Sequence, residues 1–268
     1  MRSIAIISGK GGSGKSSVSL NLGIALSLQK KKTLLIDADV AMANIGILLG
    51  VERPPISLQN VLLGEASARD AIFSDPGSKE EVKLSILASS LSIDKLSRLD
   101  FRKLKEMISG FSDFEFVLID CPPGISEHSD AIMKAVEEAI IVLTPDPSGL
   151  ASALKVKLIA EKNNVKILGF VVNKVQFDKS EISKSDLESV LGAKELVSVP
   201  EDFEVRKSTA VQVPLLRRSP NSASGMRLRE LASFLTNEKP AHIQEEKKNV
   251  FAALIEKIGE IFSARQNR

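Results

Sequence analysis

The densest chemistry in the chain lies in eight consecutive residues, Gly9-Lys10-Gly11-Gly12-Ser13-Gly14-Lys15-Ser16. They fit G-x-x-x-x-G-K-[ST], the spacing of a loop that folds around phosphate oxygens. Glycines let the backbone turn tightly with its N–H groups pointing inward, so Gly11, Gly12, Ser13 and Gly14 would line an anion cradle. Lys15 would reach the outer phosphates, and the Ser16 hydroxyl would ligate the Mg²⁺ that travels with a nucleotide. Ser17 is assigned to the same binding loop. The plain alternative is a glycine-rich turn with an incidental lysine. Against it stand the apolar run Ile4-Ala5-Ile6-Ile7 before the loop and the helical pattern Val18, Leu20, Leu22, Ile24, Ala25 and Leu28 after it.

Two groups of acids follow apolar runs further on: Asp37-Ala38-Asp39, and Asp120 with Cys121-Pro122-Pro123-Gly124. Carboxylates at the carboxyl ends of parallel strands lie in the crevice where ligands bind. Asp120 in that place would hold Mg²⁺ directly or through water. Asp37 and Asp39 could instead be short polar residues ending a strand in a turn. Cys121 is expected to be a small buried filler, since no histidine or basic partner lies near it in sequence. His128 lacks a second ligand at metal spacing and is expected to be an ordinary surface or helix residue.

These groups need strands to carry them. Short apolar runs rich in β-branched residues fall at 4–8, 33–36, 84–88, 116–119, 140–143, 167–172 and 196–199, alternating with helical patterns. That alternation predicts an α/β fold, a mostly parallel sheet with helices on both faces. Residues 53–113 suggest no chemistry; within them, 96–108 has helical spacing. At 268 residues and 43% hydrophobic content the chain suits one α/β domain with a sizeable core, and a formal charge of +2 gives no general reason to bind nucleic acid. One cysteine excludes an intramolecular disulfide and argues against a cluster held by thiols. No secretory segment precedes the first strand and no run approaches the ~20 residues of a spanning helix, so a cytoplasmic location is expected.

The second lysine in the loop, Lys10, makes the sequence Lys-Gly-Gly-Ser-Gly-Lys-Ser. In this the chain resembles the deviant Walker A ATPases, the family that includes MinD, ParA, the arsenite-transport ATPases and the nitrogenase iron protein. The resemblance implies a P-loop NTPase fold of the SIMIBI type and ATP hydrolysis with Mg²⁺. It also implies a homodimer formed on ATP, in which Lys10 crosses to the partner's nucleotide. A cation supplied in trans would act there like an arginine finger. Asp37-x-Asp39 with Asn44, and Asp120-x-Pro122-x-Gly124, resemble the family's two switches. That implies Asp39 as the residue orienting or activating the attacking water, Asp37 as support for the Mg²⁺ shell or for the loop, and Gly124 as a backbone approach to the γ-phosphate. By the same resemblance Asn173 reads the base, although a strand-end asparagine making a turn fits the spacing too. The stretch Val199-Pro200-Glu201-Asp202-Phe203-Glu204-Val205-Arg206 resembles the MinD segment that closes over the purine, which implicates Pro200, Glu201 and Asp202.

Two late features bear on partners. Arg217, Arg218, Arg227 and Arg229 form a basic cluster, to be read either as a solvated charged face or as a ParA-like surface for nonspecific DNA. Residues 236–248 resemble a polar linker after a domain spanning 1–235. In 249–268, Phe251, Leu254, Ile255, Ile258, Ile261 and Phe262 recur at helical spacing on one stripe. Such a tail resembles the membrane-targeting helix of MinD, and implies peripheral membrane association in the ATP state with an activator protein to reverse it. A helix packed on its own domain or on a partner fits the same pattern.

Overall fold

The computed structural model describes residues 1–51, 53–79, 81–91 and 96–240. Among them eight strands form one sheet: β1 (Arg2–Ile7), β2 (Thr33–Asp37), β3 (Phe73–Ser74), β4 (Ser85–Leu87), β5 (Phe116–Asp120), β6 (Glu138–Leu143), β7 (Lys166–Val175) and β8 (Glu195–Pro200). Their spatial order is β3-β4-β2-β5-β1-β6-β7-β8, parallel throughout except for the short antiparallel edge strand β3. All seven runs expected as strands are found. The two-residue β3 was not foreseen, being too short to show a period.

Ten helical segments connect them among the described residues: α1 (Lys15–Leu28), α2 (Ile45–Leu48), α3 (Leu58–Leu62), α4 (Leu104–Ser109), α5 (Glu127–Met133), α6 (Pro147–Lys162), α7 (Lys184–Leu191), α8 (Phe203–Ala210), α9 (Leu215–Arg218) and α10 (Ala223–Thr236). Successive strand residues point to opposite faces. In β1, Ile4 and Ile6 therefore join the layer packed by α1 and α10, while Ala5 and Ile7 join the layer packed by α5 and α6. Both faces are covered, so β1, β2 and β5 read as unbroken apolar runs.

The helical spacing at 96–108 resolves into two 3₁₀ turns, Leu96–Arg98 and Phe101–Lys103, before α4. Asp100 interrupts the pattern, its carboxylate accepting the Arg102 N–H at 3.1 Å and restarting the chain. Cys121 is buried as expected. His128 lies half-buried on α5, stacked on Phe101 with ring centroids 4.4 Å apart.

The arginine cluster divides: Arg218 and Arg227 stay on the solvated face, each paired with an acid, whereas Arg217 and Arg229 are drawn inward. Arg217 is 10% exposed and pairs with Asp75, itself 1% exposed, at 2.9 Å, which ties α9 to the turn after β3. Arg218 pairs with Glu204 of α8, Arg227 with Glu230 at 2.7 Å, and the buried Arg229 donates to the Asn221 Oδ1 at 3.1 Å. In Arg217, an acid distant in sequence has turned a cation that reads as surface into an internal tie. The tail residues Phe251 to Phe262 lie outside the described residues. Among the described ones, no helix is long and apolar enough to cross a membrane.

Candidate nucleotide site

The order β2-β5-β1-β6 puts the carboxyl ends of three strands beside the N-terminus of α1, the crevice where open α/β sheets bind ligands. The 8–14 loop leaves β1 there. Gly14 caps α1 in the left-handed region, φ 84°, which favours glycine, and a Cβ on it would stand 2.1 Å from the Asn173 Nδ2 and displace that amide. Gly9 approaches the second turn of α6 so closely that a Cβ would lie 2.1 Å from the Ser152 carbonyl oxygen. The Gly124 N–H donates to the Ser8 carbonyl at 2.8 Å, drawing the loop after β5 against the same cradle.

Beneath the cradle Asp37, Asp39 and Asp120 converge, all buried. Asp37 and Asp120 are register neighbours at the ends of β2 and β5. Among the described residues one cation faces them: the Lys15 Nζ stands 2.8 Å from the Asp120 Oδ1, with the two side chains 5% and 0% exposed. Burial alone would discharge Lys15, but Asp120 outweighs it and holds the ammonium above its usual value. Burial, and next Asp120, push the Asp37 carboxyl well up, while its oxygens accept N–H bonds from Asp39 at 3.2 Å and Ile45 at 3.1 Å. Asp39 is raised in the same way by burial, opposed by Lys15, and accepts the Met42 N–H at 3.2 Å. Burial also pushes the Cys121 thiol up, leaving it without nucleophilic character.

Lys10 points elsewhere. Its Nζ contacts both oxygens of Asp146 at 3.1 and 3.0 Å, with the side chains 33% and 44% exposed. Asp146 caps α6, accepting the Gly149 N–H at 2.9 Å, and also accepts the Thr144 hydroxyl. Burial works against its charge, yet the bonds from Thr144, Gly149 and Lys10 prevail and bring its carboxyl down to about 2.

On the other side of Gly14 a cavity of about 430 Å³ opens, within the size range of small-ligand sites. Asn173, Pro200, Glu201 and Asp202 all line it. The Asn173 amide donates to the Ser13 carbonyl at 2.7 Å, so part of its capacity braces the loop. Asp202 caps α8, its two oxygens accepting from Glu204 at 2.9 Å and Ser224 at 3.1 Å. Val205, from the stretch expected to close over the purine, also lines it, as do Thr209 and Leu228, which were not foreseen. They come from α8 and α10, and nothing in their local pattern distinguishes a cavity wall from core. Ser19 was also missed: its hydroxyl reaches the Asp120 Oδ1 at 2.7 Å.

A family model described as ParA, NUBPL iron-transfer P-loop NTPase, matches residues 1–236. The chain belongs to the ParA family of P-loop NTPases. An uncharacterised ATP-binding protein of Methanocaldococcus jannaschii is 34% identical to this ParA-family chain over 254 residues, covering 94% of each. The septum site-determining protein MinD of Synechocystis is 30% identical over 242 residues, 88% of this chain and 90% of that one. The structure of the septum site-determining protein MinD of Pyrococcus horikoshii, complexed with Mg-ADP, superimposes with a TM-score of 0.81 at 34% identity, over 87% of this chain and 95% of that one. The fold is the MinD and ParA one. Iron transfer does not follow from the family's description, because a single cysteine offers no thiol set for a cluster.

Proposed function

We propose that the chain is a MinD-like switch: ATP with Mg²⁺ joins two copies face to face, hydrolysis separates them, and the cycle drives reversible membrane association in spatial positioning. The observation that carries this reading is the division of labour between the two lysines of one loop. Lys15 is sunk among three carboxylates, whereas Lys10 sits at the surface on a pair that a second copy can replace.

The donor set suits Mg²⁺, a hard cation that takes oxygen ligands. The Asp120 Oδ2 is buried with no hydrogen-bond partner, an orphan that a bound cation or its water would satisfy. Ser16 and Asp120 would hold the ion, with Asp37 behind them; when bound it neutralises charge developing on the phosphates. Lys15 turns from Asp120 to the outer phosphates as the nucleotide enters. The N–H groups of residues 11–14 cradle the phosphates, and Gly124, its own N–H held on the Ser8 carbonyl, brings the backbone of the loop after β5 toward the terminal one. Asp39 orients the attacking water and takes its proton, a task that its raised carboxyl favours. Lys10 leaves Asp146 and stabilises the transition state in the partner's site. The purine enters the cavity between Asn173 and Pro200-Glu201-Asp202.

The test compares Lys10→Ala, Asp39→Ala and the unaltered chain by light scattering and phosphate release. Lys10→Ala is expected to stay monomeric on ATP and to lose hydrolysis by about 10³-fold, within the range of a cation supplied in trans. Asp39→Ala is expected to dimerise on ATP without turning it over. A Lys10→Ala protein that dimerised and hydrolysed normally would defeat the mechanism.

A further inference from the structure

Ser19 lies one turn into α1, fully buried, and its hydroxyl is 2.7 Å from the Asp120 Oδ1. The Lys15 Nζ meets the same oxygen at 2.8 Å. Two donors on one carboxylate oxygen leave the other, Oδ2, buried and unpartnered. A carboxylate held at one oxygen by two donors has its plane and its free lone pairs set by them, not by its own torsion. The serine has a second acceptor 3.0 Å away, the Lys15 carbonyl, but one hydroxyl proton serves one bond, and the ionised oxygen is the shorter and stronger partner.

The two donors differ in what they can do next. Lys15 has a long flexible stem and, in the function proposed above, leaves Asp120 for the phosphates. Ser19 has a single torsion inside a packed helix and stays. We infer that Ser19 is the positioning residue of the Mg²⁺ site: its hydroxyl holds the Asp120 Oδ1 so that Oδ2 stays aimed at the metal shell after Lys15 has turned away. The inference rests on the assignment of Asp120 to Mg²⁺. Partners of this kind, one bond behind a ligand, are worth about 10–100-fold in metal affinity.

Calorimetric titration of ADP at a series of Mg²⁺ concentrations, and in EDTA, reads this directly without turnover. Ser19→Ala is expected to need about tenfold more Mg²⁺ for the same gain in ADP affinity, while its affinity in EDTA is unchanged. Ser19→Cys, nearly isosteric but a weaker donor, should shift the same way by less, and it keeps the test valid if the alanine variant packs poorly. Ser27→Ala, which removes another buried hydroxyl of α1, bonded to the Ile24 carbonyl, is the control and should leave the Mg²⁺ curve in place. Mn²⁺ binding followed by electron paramagnetic resonance should rank the variants identically. A Ser19→Ala curve lying on the unaltered one while Asp120→Asn displaces it overturns the role of Ser19 alone. If Asp120→Asn is also silent, the Mg²⁺ assignment falls with it.

Discussion

Lys10 and Lys15 share one loop, and their environments set opposite consequences for removing them. Lys15 is the cation facing Asp37, Asp39 and Asp120 in a region closed to solvent. Truncating one member of such a pair strands the other, so Lys15→Ala should lower the stability of the nucleotide-free chain by about 3–5 kcal/mol at neutral pH, measured by denaturant unfolding. The pH dependence has a definite sign. A carboxyl raised above its ordinary value of 3.8 in the folded state, as Asp37 is, costs stability increasingly as the pH rises toward its folded value. Loss of Lys15 raises it further, so the deficit should shrink as the pH falls from about 8 to about 5, because the folded state takes up the proton. The Lys10 pair with Asp146 is partly exposed and screened, worth about 0–1 kcal/mol, so Lys10→Ala should unfold like the unaltered chain. A lysine held by so weak a pair is free to be exchanged, as the proposed switch requires.

Among the elements, α9 and α10 show how charge that reads as surface can become structure. Arg217 is closed against Asp75, 142 positions earlier, and fastens α9 to the edge of the sheet. Arg217→Ala should cost about 3 kcal/mol in thermal or denaturant unfolding, while Arg227→Ala, whose pair with Glu230 is exposed, should change stability by less than about 1 kcal/mol. A salt-sensitive DNA interaction lost in Arg218→Ala without loss of stability would restore the DNA surface that these pairings argue against. The strands of the central sheet were legible because burial on both faces demands continuous β-branched runs, as in β1 and β5. The edge strand β3 and the 3₁₀ turns before α4 were not, since two or three residues carry no period and one capping aspartate is enough to break a helix.

At the scale of the molecule, the proposed cycle needs two copies and a surface on which to gather them. The helix proposed from the spacing of the six apolar residues Phe251 to Phe262, which lie outside the described residues, would hold a bilayer weakly in one copy, and far better when two are joined. Sedimentation with anionic vesicles should therefore capture the full chain in ATP and much less of it in ADP, and should capture a chain ending at residue 240 in neither. Equal capture in both nucleotides would separate the tail from the switch.

The loop 9–16, the strand before it, the helix after it and the acids ending β2 and β5 were all readable in advance, because each is specified within a few residues: glycines for a tight turn, period for the element, an acid at a strand's end. Only the tertiary structure decided which charge meets which. The pairs Lys15–Asp120, Lys10–Asp146, Ser19–Asp120 and Arg217–Asp75 all join residues more than 100 positions apart. Such partners are chosen by strand order and helix packing, and burial then fixes their strength; neither leaves a trace in local spacing.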